Sequence, residues 1–535
     1  MNLIERAKKY EKTMAAKVVA AKVNNIIVDL NYTPKENDKV ELIDISTIEG
    51  IRVYRNTLKY VLIKAVDDIF AEGRVKIKYS INKGGYCELI NRKANIETLH
   101  KIKKRMKKII KLKLPIEKHE YTKEIAKKIL LQSKRENRTK MLDKINSDTV
   151  VLYSLNGVFD YFYGVLTPDT SYVDIFDLKL YEEGFILLFP SRFNPGELPT
   201  YRNQKSLAKV FKEYKEWGNI LGVDNITDIN NIVKTDGIKD LILISEGLQE
   251  KKIAYISDNI KRNKKKFVFI AGPSSSGKTT FAHRLLIQLK ANGLNGNIIS
   301  LDNYYKGKGK IPYDINGKLD YEAIEGLDLL LLYRNVKELS DSNHTDIPIY
   351  DFKSESVKGY RSIFTNDNSV TIFEGIHGLN PLIYEHMDEA FIHKIYISAL
   401  TSINIDEHNR LPSTDTRLIR RIVRDFRYRN AAASRTLSMW ESVRRGEDKS
   451  IFPFQDSCDD IFNSSLIYEH GVLKKYAVNI LKKVSANEEQ YSKAQRLIEL
   501  LMAFEDIDNK SIVITSILRE FIGESVFRVG EKNEK

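Results

Sequence analysis

The chain has 535 residues, 42% hydrophobic and 30% charged, with a formal net charge of +14; at roughly 100–200 residues per domain it holds about three or four domains. No run reaches the roughly 18 apolar residues of a membrane helix, and the N-terminus lacks the apolar core of a secretory signal. Two cysteines, Cys87 and Cys458, are too few for a disulfide framework or a cysteine-built zinc site, so a cytoplasmic protein without membrane contact is expected.

In chain order, residues 1–50 open with a helix-like stretch and continue with a short strand pattern, Ile26-Ile-Val-Asp-Leu30. Residues 51–193 mix strand and helix signals and end at Leu187-Leu-Phe-Pro190. The basic surplus concentrates at positions 101–150, with about 17 Lys/Arg against about 6 Asp/Glu. From Lys101 to Lys113, Ile102, Met106, Ile109, Ile110 and Leu112 recur at roughly helical spacing. That reads as the solvated side of an amphipathic helix, with a nucleic-acid or anionic-surface patch as the alternative. Residues 194–262 start with a punctuated connector, Asn194-Pro-Gly-Glu-Leu-Pro199, and then look helical, with Leu207, Val210, Phe211, Tyr214 and Trp217 on one face. From Lys266, short β-rich runs alternate with amphipathic helices, the pattern of a parallel α/β sheet. The stretch after about Gly471 is mostly helical and carries no motif.

The chemistry starts at Phe267-Val-Phe-Ile-Ala-Gly272-Pro273-Ser274-Ser275-Ser276-Gly277-Lys278-Thr279-Thr280. A buried strand pattern runs into G-x-x-x-x-G-K-T and a helix follows from Phe281 to Leu289, which is a phosphate-binding loop in the setting it requires. Gly272 and Gly277 let the backbone curl so that successive N–H groups face phosphate oxygens, and the positive helix end adds to that field. Lys278 reaches the β- and γ-phosphates, and the Thr279 hydroxyl can bind Mg2+. Ser274, Ser275 and Ser276 supply small size and backbone donors; Pro273 and Thr280 complete the nucleotide-binding set.

Three further segments bear on the reaction. Ile298-Ile-Ser-Leu-Asp302 reads as a strand ending at the ligand crevice of a parallel sheet, so Asp302 is a base for an acceptor hydroxyl, or else a capping residue. Val370-Thr-Ile-Phe-Glu374 ends where a Mg2+-water ligand would sit, or in an ordinary strand-terminal carboxylate; His377 just beyond reads as structural, with an acceptor-facing role as the alternative. Thr416 to Arg429 is an Arg-dense amphipathic helix, read as a lid over transferring phosphate or as a solvated face.

These segments, in this order, resemble the uridine kinase/phosphoribulokinase family over about residues 265–475. The resemblance implies an α/β P-loop kinase with a parallel sheet and helices on both faces, using ATP or GTP with Mg2+ on a nucleoside. It places Asp302, in a D-x-Y/F-Y segment, as general base, and Asp320, in Lys318-Leu-Asp320-Tyr, on the ribose hydroxyls. Tyr350, in Pro348-Ile-Tyr350-Asp351-Phe352, stands beside the nucleobase, with a core aromatic at a strand end as the alternative there and an ordinary loop carboxylate as the alternative at Asp320. Glu374 becomes the Mg2+-associated glutamate, Arg421 a substrate-side arginine, and Arg424 and Arg429 catalytic arginines of core and lid. Two departures concern substrate identity. Typical uridine kinases read Y-D-F-x-x-H, and here the last position is Glu355, which accepts hydrogen bonds and shifts preference from uracil toward an amino-bearing ring. The lid reads Tyr428-Arg429-Asn430-Ala431, one arginine fewer than the family usually carries.

Residues from about 20 to 193 resemble the N-terminal region of threonyl-tRNA synthetase. Lys22 to Leu30 is similar to its β-grasp (TGS) domain, Glu49 to Leu62 to the start of its editing domain, and Ser154 to Leu166 to that domain's later half. The editing domain builds a metal site from H-x-x-x-H and C-x-x-x-H; the matching positions here are Asn56, Tyr60, Phe162 and Leu166, none of them an imidazole or thiolate. The resemblance therefore implies an α+β region without metal chemistry, either architectural or binding RNA through its basic surface.

The combined expectation is an ATP-dependent nucleoside kinase acting on the 5′-hydroxyl of uridine or cytidine. The alternatives are a kinase for another small-molecule hydroxyl and an RNA-binding protein with a nucleotide switch. Its expected parts are a TGS-like domain (1–50), an editing-like domain (51–193), a helical connector (194–262), the kinase domain (263–475) and a C-terminal helical segment (476–535), assembled as a homo-oligomer.

Overall fold

The computed structural model describes residues 2–11, 16–70, 73–133, 136–144, 147–313, 317 and 319–527; Lys318 of the motif around Asp320 lies outside them. No helix among the described residues is long and apolar enough to cross a membrane.

The front half holds three small antiparallel sheets. Helix α1 (Leu3–Glu11) precedes β1 (Val18–Val23), β2 (Ile26–Val28) and β3 (Val40–Asp44), which pair in the order β2-β1-β3. Helix α2 (Ile48–Ile69) starts where Thr47 accepts the Gly50 N–H at 2.9 Å, and most of its length is buried. Next come β4 (Arg74–Ile81), β5 (Gly84–Ile90), α3 (Ile96–Lys111), β6 (Glu117–Thr122), α4 (Lys123–Gln132) and α5 (Glu136–Leu142). β7 (Thr149–Leu155), β8 (Val158–Asp160), β9 (Asp177–Tyr181) and β10 (Gly184–Leu188) complete the sheets β4-β5-β10-β9 and β6-β7-β8. The basic run lies on α3, which buries Leu99, Ile102, Met106 and Ile109 at helical spacing and turns its lysines outward, while Leu112 beyond its end is exposed.

Helices α6 (Lys205–Leu221), α7 (Ile226–Lys234) and α8 (Ile238–Arg262) lead into β11 (Phe267–Ala271), whose five residues are all buried, as in a strand covered on both faces. The chain continues through α9 (Lys278–Ala291), β12 (Asn295–Ser300), α10 (Leu329–Asp341), the hairpin β13 (His344–Asp351) and β14 (Ser356–Phe364), β15 (Ser369–Glu374) and β16 (Ile392–Ser398). It ends with α11 (Ser413–Arg429), α12 (Ala433–Ser450), β17 (Asp460–Asn463), α13 (Glu469–Leu481), α14 (Tyr491–Met502) and α15 (Arg519–Ile522). The sheet runs β12-β15-β11-β16-β17 with every pair parallel. In its register Ile270 and Ser300 both sit opposite Glu374, so the phosphate loop, the end of β12 and the end of β15 open on one crevice.

The stretch expected as a connector is built into this core. Ile226, Ile229, Leu241, Ile242, Ile253, Ile256 and Ile260 of α7 and α8 pack in one cluster with Val268, Phe281 and Leu285. The motif-free C-terminus joins the same cluster through Leu497, Ile517, Leu518 and Phe521. A second cluster binds the front half to the sheet, with Ile81, Tyr86 and Ile186 against Leu207, Phe211, Tyr396 and Ile451. Buried polar ties reinforce it: the Asn404 amide donates to the Ile77 carbonyl at 2.6 Å, and Asp160 meets His408 Nδ1 at 2.8 Å.

Candidate active site

The phosphate loop has the backbone its residues predict. Gly277 sits at φ +86°, and a Cβ there would stand 2.5 Å from Ile517 Cγ2; a Cβ on Gly272 would stand 2.0 Å from the Ile397 carbonyl oxygen. Lys278 Nζ donates to the Gly272 carbonyl at 2.9 Å, folded back over the loop. Thr279 follows in the first turn of α9. The Ser275 and Ser276 hydroxyls are buried and have no hydrogen-bond partner.

Strand β12 stops at Ser300, two residues short of Asp302, which rides on a 3₁₀ turn (Leu301–Tyr304) and donates its own N–H to the Ser300 hydroxyl at 3.3 Å. The difference from the expected strand end is physical: the Ser300 hydroxyl takes an N–H that a continuing strand would give to its neighbour, so the ladder ends and a short turn carries Asp302. Burial pushes Asp302 upward, while Lys278 and Arg429 pull it back, so it lies in the field of the loop lysine. Glu374 ends β15 as expected and is pushed up to about 7 by burial; Lys278 opposes the shift and the carboxylates Asp302 and Glu520 add to it.

Three carboxylates here carry no sequence signal. Glu322 is pushed up to about 7 by burial and by Glu447, with Arg421, Lys278 and Asp302 also in range. Glu447 accepts the Ser274 N–H of the loop at 3.0 Å and takes both guanidinium nitrogens of Arg417 and one of Arg444. Glu520, from the motif-free C-terminus, accepts the Thr280 hydroxyl at 2.9 Å. Each arrives from a distant part of the chain without a local pattern.

The arginine helix α11 divides along its length. Arg417 and Arg420 are buried and bolt the loop in place, pairing with Glu447 and Glu469 and donating to the Ser274 and Ser275 carbonyls, so this half is neither lid nor solvated face. Arg421, expected on the substrate, donates to the Ser274 hydroxyl at 2.8 Å and pairs with Asp425. Arg424 lies 3.6 Å from Glu520. Arg429 is exposed at the helix end, 3.2 Å from Asp425, and its charge reaches Asp302.

An aromatic cluster begins at Tyr305, three residues after Asp302 and within range of its charge. Tyr350 and Phe352 have ring centroids 5.1 Å apart, Tyr305 lies 5.9 Å from Tyr350, and Tyr321 packs edge-on against Tyr305. The Tyr350 hydroxyl is buried without a partner, and Glu355 accepts the Tyr321 hydroxyl at 2.9 Å. Asp320 accepts the Glu322 N–H at 3.1 Å and has Lys449 at 3.9 Å. His377 is buried with neither ring nitrogen partnered, and burial pushes its imidazole down to about 4.

Near Lys278, Thr279, Asp302 and Glu374 offer only oxygen donors, which suit Mg2+, and the like-charge crowding that raises Glu374 is what a divalent cation would relieve. Among the described residues no three carboxylate, imidazole or thiolate groups form a metal cage; Mg2+ ordinarily takes one or two carboxylates together with phosphate oxygens and water. In the front half, the four positions matching the editing-type site are filled. The Asn56 amide donates to the Tyr163 carbonyl at 3.1 Å, the Tyr60 hydroxyl meets the Tyr153 and Val158 carbonyls, and the Tyr60 and Phe162 rings are 5.1 Å apart in a core that includes Leu166.

Residues 267–466 match the model of the Phosphoribulokinase / Uridine kinase family. The chain is 28% identical over 217 residues to a uridine kinase of Staphylococcus aureus, covering 40% of this chain and 91% of that protein. It is 30% identical over 159 residues to the inorganic pyrophosphatase TTM2 of Arabidopsis thaliana, covering 30% of this chain and only 20% of that protein's length. Among solved structures it is similar to a possible uridine kinase from Bacillus stearothermophilus, at 21% identity and a TM-score of 0.23, covering 27% of this chain and 79% of the other.

Proposed function

We propose that the C-terminal part of this chain, a P-loop kinase domain of the phosphoribulokinase/uridine kinase family, transfers the γ-phosphoryl group of ATP or GTP to the 5′-hydroxyl of a pyrimidine nucleoside. The observation that carries this reading is the Asp302 carboxylate in the field of the loop lysine Lys278 and itself in range of Tyr305, the ring that opens the Tyr305–Tyr350–Phe352 cluster. The ribose hydroxyl attacks phosphorus in line, Asp302 accepts its proton, and Lys278, Arg424 and Arg429 balance the charge that spreads over the equatorial oxygens. Thr279 and, through water, Glu374 would hold Mg2+, which screens the phosphate charge when bound. Tyr350 packs against the base and Asp320 takes the ribose hydroxyls. Glu355 already accepts one hydroxyl from Tyr321, and its remaining capacity suits an exocyclic amine, which favours cytidine over uridine. The front half acts as a scaffold without metal chemistry, its four candidate ligand positions being closed by amide, phenol and apolar packing.

The test is an acceptor screen with labelled ATP on the full chain. Cytidine- or uridine-dependent ADP release is expected, falling by about 100-fold or more in Asp302→Asn, in line with the loss of a general base. A near-native rate in folded Asp302→Asn would remove the base assignment, and release with sugars alone would remove the nucleoside.

A further inference from the structure

Along α2, cations gather in range of Arg410 and Arg444 without the direct carboxylate partners that accompany buried charge elsewhere in this protein. Arg52, Arg55 and Lys59 recur along one side of α2 at helical spacing and are all half-buried, as is Arg410 opposite them. Two carboxylates lie in range of Lys59 and Arg410 and both are committed elsewhere: Asp415, felt by Arg52 and Arg410, takes both terminal nitrogens of Arg496 at 2.7 and 2.9 Å, and Asp406, felt by Lys59, pairs with Arg138 and accepts the Asn409 amide. Arg55 lies over the Phe189 ring at 4.4 Å, and among the described residues it has neither a hydrogen bond nor an ion pair. Lys59 donates to the Asn56 side-chain oxygen at 3.0 Å, and Arg410 donates to the Ser80 hydroxyl; neither is ion-paired with a carboxylate among the described residues. The Nε atoms of Arg55 and Arg410 are buried and unpartnered. By contrast, Arg417 and Arg420 of the same protein each close on a buried glutamate.

Half-burying several like charges is unfavourable unless an anion completes the set. The electrostatics agree: burial and then Arg410 and Arg55 push Lys59 down to about 7 against the weaker pull of Cys87 and Asp406, and burial and then Arg410, Arg52 and Arg444 push Arg55 down to about 9. Two guanidinium groups and an ammonium within electrostatic range of one another suit the oxygens of a phosphate, which guanidinium grips in pairs and ammonium as a point charge. We infer that Arg55, Lys59 and Arg410 form a second anion site, separate from the phosphate loop, that takes a small phosphate-bearing ligand at the junction of the two halves. Arg444, whose charge is felt by Arg55, also donates to the Glu447 carboxylate that accepts the Ser274 N–H, so the second site lies within electrostatic range of a residue that braces the phosphate loop.

Calorimetric titration of the full chain with pyrophosphate tests this. Lys278→Met is expected to keep one pyrophosphate site, and adding Arg55→Gln and Lys59→Gln is expected to weaken that site at least tenfold. Unchanged binding after the α2 substitutions would overturn the assignment, whatever the fate of the kinase reading. On Lys278→Met, competition between pyrophosphate and ATP at the junction separates free polyphosphate from nucleotide phosphate, either of which supports the site. An RNA oligonucleotide that displaces pyrophosphate there at lower concentration would overturn the small-ligand form. In phosphate-free buffer the Arg55→Gln/Lys59→Gln chain should melt no lower than the native one, since it loses mutual repulsion; a clearly lower melting temperature would show the cations to be already compensated and overturn the inference.

Discussion

Replacing Glu374 by glutamine isolates the electrostatic strain at the end of β15. The side chain is 8% exposed, and burial, with Asp302 and Glu520 beside it, pushes its carboxyl up to about 7 from the 4.5 of an ordinary glutamate, against the pull of Lys278. Because the folded value lies above the unfolded one, the folded chain keeps a proton that the unfolded chain releases, so stability is lost as pH rises from about 4.5 through about 7. A gap of about 2.5 units corresponds to about 3 kcal/mol at 1.36 kcal/mol per unit, and relaxation of the site leaves about 1–3 kcal/mol. Glutamine cannot ionise and keeps the shape. Glu374→Gln should therefore be more stable than the native chain by about 1–3 kcal/mol at pH 8 and about equal to it at pH 5. Thermal unfolding at both pH values, without nucleotide, reads the difference, and phosphoryl transfer by the same variant should fall. A variant destabilised equally at pH 5 and pH 8 would refute the account of this carboxylate.

The folded imidazole of His377, near 4, lies below the unfolded 6.5, so its contribution to stability is present above pH 6.5 and lost as pH falls toward 4. His377→Phe should flatten the acid loss by up to about 3 kcal/mol over that window in thermal unfolding, and a profile parallel to the native one would count against it. Glu447→Ala leaves Arg417 buried without its partner and should lower stability by about 3–5 kcal/mol in urea unfolding; a loss under about 1 kcal/mol would mean the loop is held otherwise. A chain starting at Asn263 exposes the core partners of Ile242, Ile253, Ile256 and Ile260 and is expected to aggregate or melt far below the full chain, whereas a native-like melting temperature would show α6–α8 to be dispensable.

The sequence by itself determined what depends on neighbours in the chain. The loop from Gly272 to Thr280 was legible because glycine conformation, lysine reach and a following helix lie within a dozen residues, and Glu374 because a buried strand announces its own end. The amphipathic spacing of α3 was legible for the same reason. Only the tertiary structure decided the rest. It turned an apparent connector into part of the core around the parallel sheet, made two lid-like arginines into buried bolts, and brought Glu322, Glu447 and Glu520 to the phosphate loop from far along the chain. Charge compensation acts through space across a few ångströms, and residues so paired have no reason to be close in sequence or to share a spacing.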